Sequence, residues 1–161
     1  MSGQLLNKQA AVELIALLLP VGERNLLVPN VALAEVIPMP PIQRLDDMPN
    51  WFLGTIGWRE LEIPLVSFLA INDEPFSHAA SDIRVAVFNG CQDGEKMPFY
   101  GIALSGMPRV THASEEDITL VKNATKGSAE NMSVAMADGT EAVIPDLDYI
   151  ELQTMFAAEE L

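Results

Sequence analysis

Two histidines and a single cysteine are the side chains best suited to chemistry, and their spacing does not favour it. His78 and His112 lie in different segments, and neither has a second metal ligand or a nucleophile at a useful separation. Cys91 follows an Asn-Gly turn and lacks a neighbouring base to activate its thiol. The chain also has no phosphate loop, no dinucleotide-binding glycine pattern, no G-x-S-x-G elbow and no H-E-x-x-H motif. We therefore expect no catalytic activity, no metal and no cofactor.

The remaining candidate is a recognition site in the segment Pro49 to Phe68, PNWFLGTIGWRELEIPLVSF. This segment holds both tryptophans, and Arg59 stands in it between apolar runs. We expect Trp51 to fill the core of a small barrel. Trp58 is equally consistent with a buried residue and with an exposed interface anchor beside arginine. Arg59 taken alone suits either an internal salt bridge or a contact to a partner.

The length and charge limit the class of protein and its partners. With 161 residues, of which 49% are hydrophobic, the chain suits one domain with a substantial core. Its 23 acidic and 9 basic residues give a net charge of −14, which repels phosphate backbones and anionic lipids. We therefore expect neither nucleic acid nor a membrane surface as a partner. We expect a flexible N-terminal segment at 1–11, a single domain at 12–156 and an acidic C-terminal tail at 157–161.

The cysteine content and the first apolar run bear on location. A lone Cys91 provides no internal disulfide framework and fits a reducing compartment. The run LIALLL at 14–19 has Glu13 at its edge and neither a basic flank nor a cleavage site, so we interpret it as a buried strand. It is also far shorter than the ~20 apolar residues of a membrane span. These features predict a cytoplasmic protein.

Short apolar runs separated by glycine and proline turns predict a mainly β fold, either a barrel or a sandwich. Strands are expected at 14–19 and 26–28, paired antiparallel across PVGERN, and at 83–88 and 99–104. Asp138-Gly139 is the clearest hairpin turn. Short helical turns are expected after Asn30, at 49–53 and after Ser114, with a C-terminal helix after Pro145. Residues 72–82 are predicted to form a surface loop.

The order of these features resembles the CheW-like domain of bacterial chemosensory systems over residues 12–156. The most specific part is a Pro-x-Trp segment with fixed glycine, apolar and arginine positions, followed by an apolar-Pro-apolar-apolar run. In this chain those positions are Pro49, Trp51, Gly54, Ile56, Trp58 and Arg59, then Ile63, Pro64, Leu65 and Val66.

The resemblance implies two five-stranded SH3-like barrels packed together in one domain. It also implies a non-catalytic adaptor that couples the cytoplasmic tips of methyl-accepting chemoreceptors to a CheA-type histidine kinase. Glu35 and Arg59 match family positions of receptor and kinase contacts, and Leu33, Gly101 and Val110 match positions of the receptor-binding groove. The small acidic form is similar to accessory CheW-like proteins of systems that control type IV pili and twitching motility.

The predicted recognition surface is an apolar patch around Ile56, Trp58 and Val66 that Arg59 orients. Two departures from the family pattern affect it. Asn-Leu-Arg-Gly appears as Gly57-Trp58-Arg59-Glu60, so that Glu60 is placed to pair with Arg59. The usual Asp-Gly-Val appears as Ser-Gly-Met at 105–107, which removes another charge.

The sequence also allows a second class of function. A small β-barrel can also bind a small ligand or hydrolyse a substrate at a site between its two subdomains. A deep polar pocket containing His78 or His112 would identify that alternative.

Overall fold

Eleven strands, two α-helices and one short 3-10 helix form the described part of the chain. The computed structural model describes residues 14–75, 82–114, 116–122 and 126–159. The strands are β1 (Leu14–Val21), β2 (Arg24–Pro29), β3 (Leu33–Pro38), β4 (Phe52–Trp58), β5 (Leu61–Val66), β6 (Arg84–Asn89), β7 (Phe99–Leu104), β8 (Arg109–Ala113), β9 (Ile118–Leu120), β10 (Glu130–Met136) and β11 (Glu141–Pro145). The helices are the 3-10 helix Asn30–Ala32, α1 (Phe68–Ile71) and α2 (Leu147–Glu159).

The strands form two sheets, one for each subdomain. The first sheet has the order β8-β1-β2-β11-β10-β9, and the second has the order β3-β6-β7-β5-β4. Neighbouring strands are antiparallel except for the pairs β2–β11 and β5–β7. The prediction of a mainly β fold with two packed β subdomains is confirmed. The first sheet has six strands rather than five, because the three-residue strand β9 adds to the edge of β10.

The hairpins follow from turn chemistry that the sequence displays. Leu19 pairs with Leu26 across the Pro/Gly turn, so the predicted antiparallel β1–β2 hairpin is confirmed. At the β10–β11 turn Gly139 has φ 88°, a conformation that suits glycine. The carboxylate of Asp138 accepts the backbone N–H of Thr140 at 2.9 Å, which lowers the pKa of Asp138 below its ordinary value. The predicted hairpin at Asp138-Gly139 is therefore also confirmed.

Strand alternation divides the apolar side chains among three cores. Odd-numbered β1 residues such as Leu19 pack in the largest core, together with Phe88, Tyr100 and Ile150 of the second sheet and α2. Even-numbered residues such as Leu18 point into the first subdomain. The interior of the second subdomain consists of Leu53, Ile56, Trp58, Ile63, Leu65, Val85, Val87 and Ala103. The largest core therefore joins the two sheets.

Two of the predicted helical turns are replaced or shortened by strands. The turn of helix expected at 49–53 is wrong, because Phe52 pairs with Val66 and begins β4. The helix covers only Asn30–Ala32, and its N-cap residue is Pro29 rather than Asn30, with no side-chain capping bond. By contrast, a single turn begins at Ser114 as predicted, because the Ser114 carbonyl accepts the N–H of Asp117 at 3.0 Å. Cross-strand pairing in each sheet outweighs these weak local preferences.

A buried polar junction connects the two subdomains where a surface loop was expected. Asn72 follows α1 and is 2% exposed. Its Oδ1 accepts the N–H of Ala129 at 2.8 Å, and its Nδ2 donates to Glu130 at 2.6 Å and to Glu74 at 2.7 Å. Arg24 of β2 pairs with Glu74 at 2.8 Å and with the buried Glu130 at 3.4 Å. We call these four side chains, Arg24, Asn72, Glu74 and Glu130, the polar junction.

The C-terminal helix is held by a second buried carboxylate. Glu151 is 2% exposed, and its Oε2 accepts the N–H of Cys91 at 2.7 Å and the N–H of Gln92. These bonds fasten the loop between β6 and β7 to α2. Burial, with the nearby Glu151 carboxylate, raises the pKa of Tyr100 far above its ordinary value, so this phenol stays protonated. The predicted C-terminal helix is confirmed, and residues 157–159 belong to it.

Candidate partner-binding site

The β4–β5 hairpin places Arg59 and Glu60 at an exposed tip. Trp58 pairs with Leu61, so the turn consists of Arg59 and Glu60 alone. Arg59 has φ 47° and Glu60 has φ 65°, as a two-residue turn that matches the twist of its strands requires. The arginine is therefore presented by a short, fixed connection rather than by a mobile loop.

Trp58 is buried, so of the two possibilities that the sequence left open the structure selects a core residue rather than an exposed anchor. Its side chain is 6% exposed and lies on the inner face of β4 with Ile56. The indole meets Phe99 edge-on, with ring centroids 4.7 Å apart. Its Nε1 donates to Glu35 Oε2 at 2.9 Å. Strand alternation gives the physical reason, since residue 58 shares the core side of β4 with residue 56.

Glu35, Trp58 and Arg59 form one cluster, which we call the Glu35 cluster. Arg59 Nη2 lies 3.3 Å from Glu35 Oε2, and its guanidinium carbon lies 4.6 Å from the centre of the Trp58 ring. Sequence reasoning singled out all three residues, and the fold brings them together. The ion pair of Arg59 is with Glu35, so the expected pairing with Glu60 is wrong. Glu35 is favoured because the buried indole already holds its carboxylate in place.

The charged members of this cluster remain accessible. The Arg59 side chain is 64% exposed and that of Glu35 is 41% exposed. An exposed ion pair of this kind contributes less than about 1 kcal/mol to folding. Its main physical effect is to restrict the guanidinium, which lowers the entropy that Arg59 loses on meeting an acidic group of a partner.

Besides Trp58, three more residues that were expected to contribute to partner binding lie in the interior. Ile56 is 1% exposed and Val66 is 0% exposed, so the expected apolar patch around them and Trp58 is wrong. Gly101 is buried on β7, where an added Cβ would lie 2.7 Å from Val85 Cγ1. Glycine is needed there for close packing of the strands. Ile56 and Gly101 can therefore affect a partner only through the packing beneath the surface.

A second exposed area lies beside β1. Val110 is 68% exposed on the edge strand β8, directly opposite Leu17 of β1. Val31 on the 3-10 helix is 78% exposed, and this helix also contacts β1. Leu33, at the start of β3, is half-buried. We call the exposed residues Ile15, Val31 and Val110 the β1 surface. The resemblance identified Val110, whereas Ile15 and Val31 carried no signal in the sequence beyond their apolar character.

Of the two histidines that would mark a ligand-binding or hydrolytic site, only one lies within the described residues. His78 lies outside the described residues, and His112 is exposed on β8 opposite Ile15. Among residues 14–75, 82–114, 116–122 and 126–159, no three His, Cys, Asp or Glu side chains are grouped to hold a metal ion. In the same part of the chain, no helix has the length and apolar character needed to span a membrane.

The tip has a testable energetic consequence, because Glu60 adopts a conformation that L residues avoid. A non-glycine residue in this conformation raises the free energy of the folded state by about 1 to 2 kcal/mol. Glycine removes this strain, but the greater flexibility of the unfolded chain offsets about 0.5 to 1 kcal/mol of the gain. We expect Glu60→Gly to raise the free energy of unfolding by about 0.5 to 1 kcal/mol, measured by urea denaturation. As a control, Glu62→Gly on the regular strand β5 should lower it by about 1 kcal/mol. A loss of stability in Glu60→Gly would contradict the strained turn.

Comparison with known proteins agrees with this architecture. A family model described as the CheW-like domain matches residues 16–153. Among solved structures, the scaffolding protein TtCheW from Thermoanaerobacter tengcongensis is similar, with 16% sequence identity and a TM-score of 0.69 over 83% of this chain and 88% of that chain. At this identity the likeness establishes the fold. A search of curated proteins finds no match. Since the family model spans most of the sequence and both sheets of the structure, this protein belongs to the CheW-like domain family.

Proposed function

We propose that this protein is a non-catalytic chemosensory adaptor that couples methyl-accepting chemoreceptors to a CheA-type histidine kinase. The observation that carries the proposal is the Glu35 cluster on a CheW-like fold. An accessible arginine is held by a carboxylate, and a buried indole fixes that carboxylate. Such an arrangement serves recognition of another protein better than it serves catalysis.

The Glu35 cluster has the properties of an orienting contact. Arg59 stacks on an aromatic ring and keeps most of its surface free, so a partner carboxylate can reach the guanidinium without displacing the core. The chain carries a net charge of −14, and a local cation in that field favours one docking orientation over others. We assign the kinase or receptor contact at this tip to Arg59, with Glu35 and Trp58 as its support.

The β1 surface is our candidate for the receptor contact. Val31 and Val110 are large apolar side chains that lie mostly in solvent, and Leu33 is half-buried nearby along the chain. An apolar surface beside a strand can accept the apolar face of a helix from a partner protein. Burying these side chains would contribute about 25 cal/mol per Å² of apolar area.

The more specific part of the proposal concerns the biological system. The similarity of this small acidic chain to accessory CheW-like proteins leads us to propose a role in a chemosensory system that controls twitching motility through type IV pili. We propose that the protein acts in the cytoplasm and reaches membrane-bound receptor arrays only through its partners. A gene for a CheA-type kinase beside the gene for this chain would support this placement.

Removing the Arg59 guanidinium tests the proposal. We expect Arg59→Ala to weaken binding of a CheA-type kinase, or of a chemoreceptor cytoplasmic tip, by about tenfold, equal to about 1.4 kcal/mol. Glu35→Gln should give a smaller loss, because its amide oxygen can still accept the indole N–H while the ion pair is gone. Calorimetric titration with each purified partner would measure both effects.

Arg44→Ala provides a matched control. Arg44 is an exposed arginine that lies outside the Glu35 cluster and the β1 surface. This variant should bind as the wild type does. Wild-type affinity for both partners in Arg59→Ala and Glu35→Gln would remove the site assignment. An absence of binding by the wild-type protein to either partner would refute the adaptor function itself.

A further inference from the structure

Gly57 is a glycine that the folded chain does not require. It lies in β4 without a positive φ, and a Cβ built on it would meet no atom within 4 Å. Gly54, three residues earlier, has φ 142° and would place a Cβ 2.3 Å from the Gln43 carbonyl oxygen. A glycine inside a strand weakens it, and one without a steric or conformational reason often marks close approach by another backbone.

The backbone of β4 is open at this residue. β4 is the edge strand of its sheet, and its outer side pairs with Gln43 through both backbone bonds of Thr55, at 2.8 and 2.9 Å. The bridge between Gln43 and Thr55 is isolated, so this pairing does not continue to Gly57. In the described part of the chain no backbone group bonds to Gly57 from this side. The N–H and C=O of Gly57 therefore face outward, since ladder bonds alternate along an antiparallel strand.

A depression of about 420 Å³ lies at this edge, lined by Pro41, Ile42, Gln43, Thr55, Ile56, Gly57 and Glu62. Glu62 is the direct cross-strand neighbour of Gly57 and is exposed. Its Oε1 accepts the Thr55 hydroxyl at 2.5 Å, which orients the carboxylate and leaves Oε2 for another donor. The site thus combines an open backbone edge, a small recess and an oriented negative charge.

We propose that the Gly57 edge binds an extended, lysine- or arginine-containing segment of a partner protein by β-strand addition. The backbone of the segment pairs with the N–H and C=O of Gly57, and one of its side chains enters the recess. A cationic side chain of the segment meets Glu62, and the net charge of −14 favours such a segment over an acidic one. This goes beyond the proposed function, because it concerns a backbone edge rather than the Arg59 contact.

The test combines stability with peptide binding. Gly57→Val should fold and raise the unfolding midpoint by about 2 to 4 °C, since valine favours strands and its Cβ meets no atom within 4 Å. The probe is the capped peptide Gly-Lys-Val-Thr-Val-Lys-Gly at millimolar concentration, titrated into labelled full-length protein and followed by amide NMR shifts. We expect shifts centred on Gly57 and Glu62, and at least a fivefold loss of affinity in Gly57→Val.

Two further peptides and one control variant isolate the mechanism. Replacing both lysines of the peptide by glutamate, or methylating the backbone nitrogens that face β4, should abolish the shifts. Gly94→Val, at another glycine with open space around it, should bind the peptide as the wild type does. No shift at Gly57 with the lysine peptide, or unchanged affinity in Gly57→Val, overturns the proposal. Self-association of the wild-type protein that Gly57→Val removes, without peptide binding, would assign the edge to a second copy and also overturn it.

Since the probe contains neither kinase nor receptor, this result is separate from the test of the proposed function. The peptide can fail while Arg59→Ala still weakens partner binding, and the reverse can also occur.

Discussion

Trp58→Ala is expected to lower the free energy of unfolding by about 4 kcal/mol, within the range for a buried aromatic truncated to alanine. The substitution empties the centre of the second subdomain core and removes the edge-on contact with Phe99 at 4.7 Å. It also removes the N–H that holds Glu35 and the ring on which Arg59 lies. Urea denaturation of the full-length chain would measure the change.

Two companion variants separate the parts of this effect. Trp58→Phe keeps most of the packing and loses the indole N–H, so we expect a cost of about 1 to 2 kcal/mol. Leu61→Ala alters the exposed hairpin partner of Trp58 and should cost less than about 1 kcal/mol. A loss below about 1.5 kcal/mol in Trp58→Ala would be incompatible with a buried indole.

This expectation changes how binding data on the cluster are interpreted. A loss of partner binding in Trp58→Ala would report damage to the barrel as well as to the surface. Trp58→Phe is the better functional variant, because it releases Glu35 while the core stays filled. Arg59→Ala and Glu35→Gln remain the variants that test recognition itself.

Asn72→Ala is expected to lower the free energy of unfolding by about 3 kcal/mol, because it breaks the polar junction. The amide satisfies the backbone N–H of Ala129 and one side of the Glu130 carboxylate, both of which are buried. Without the amide, the buried N–H of Ala129 loses its hydrogen-bond partner, and the buried Glu130 carboxylate keeps only the longer contact with Arg24 at 3.4 Å. The effect should appear in both subdomains, since Asn72 follows α1 and Glu130 begins β10.

Asn131→Ala is the matched control for this prediction. Asn131 follows Glu130 directly and is exposed, so its substitution should change the free energy of unfolding by less than about 0.5 kcal/mol. Chemical denaturation with probes in each subdomain would show whether they unfold together. Equal stability of Asn72→Ala and Asn131→Ala would mean that the junction contributes nothing to their coupling.

The local sequence pattern predicted strands well where one face of the strand is buried and turn-forming residues such as glycine stand at its end. The runs LIALLL and IRVAVF became β1 and β6, and Asp138-Gly139 became a hairpin. Local pattern failed where a weak helix signal competed with strand pairing, as at 49–53. It also failed at Asn72, which stands among typical loop residues but is buried by contacts from a strand 58 residues away.

The candidate site was only partly accessible from the sequence. Arg59 and Glu35 could be named through the resemblance to a family, and Trp58 through its position beside Arg59. Their mutual contacts could not be predicted, because they depend on how β3 and β4 are placed in one sheet. For the same reason Trp58 changed from a possible surface anchor to a core residue.

The sequence by itself determined the mainly β class, the main hairpins and the family, because alternation, turn residues and motif spacing are local or linear properties. Only the tertiary structure decided that Glu35 rather than Glu60 pairs with Arg59, that Asn72 joins the two subdomains and that Gly57 faces an open edge. Each of these depends on which distant strands become neighbours. That choice is set by packing of the whole core rather than by the residues on either side.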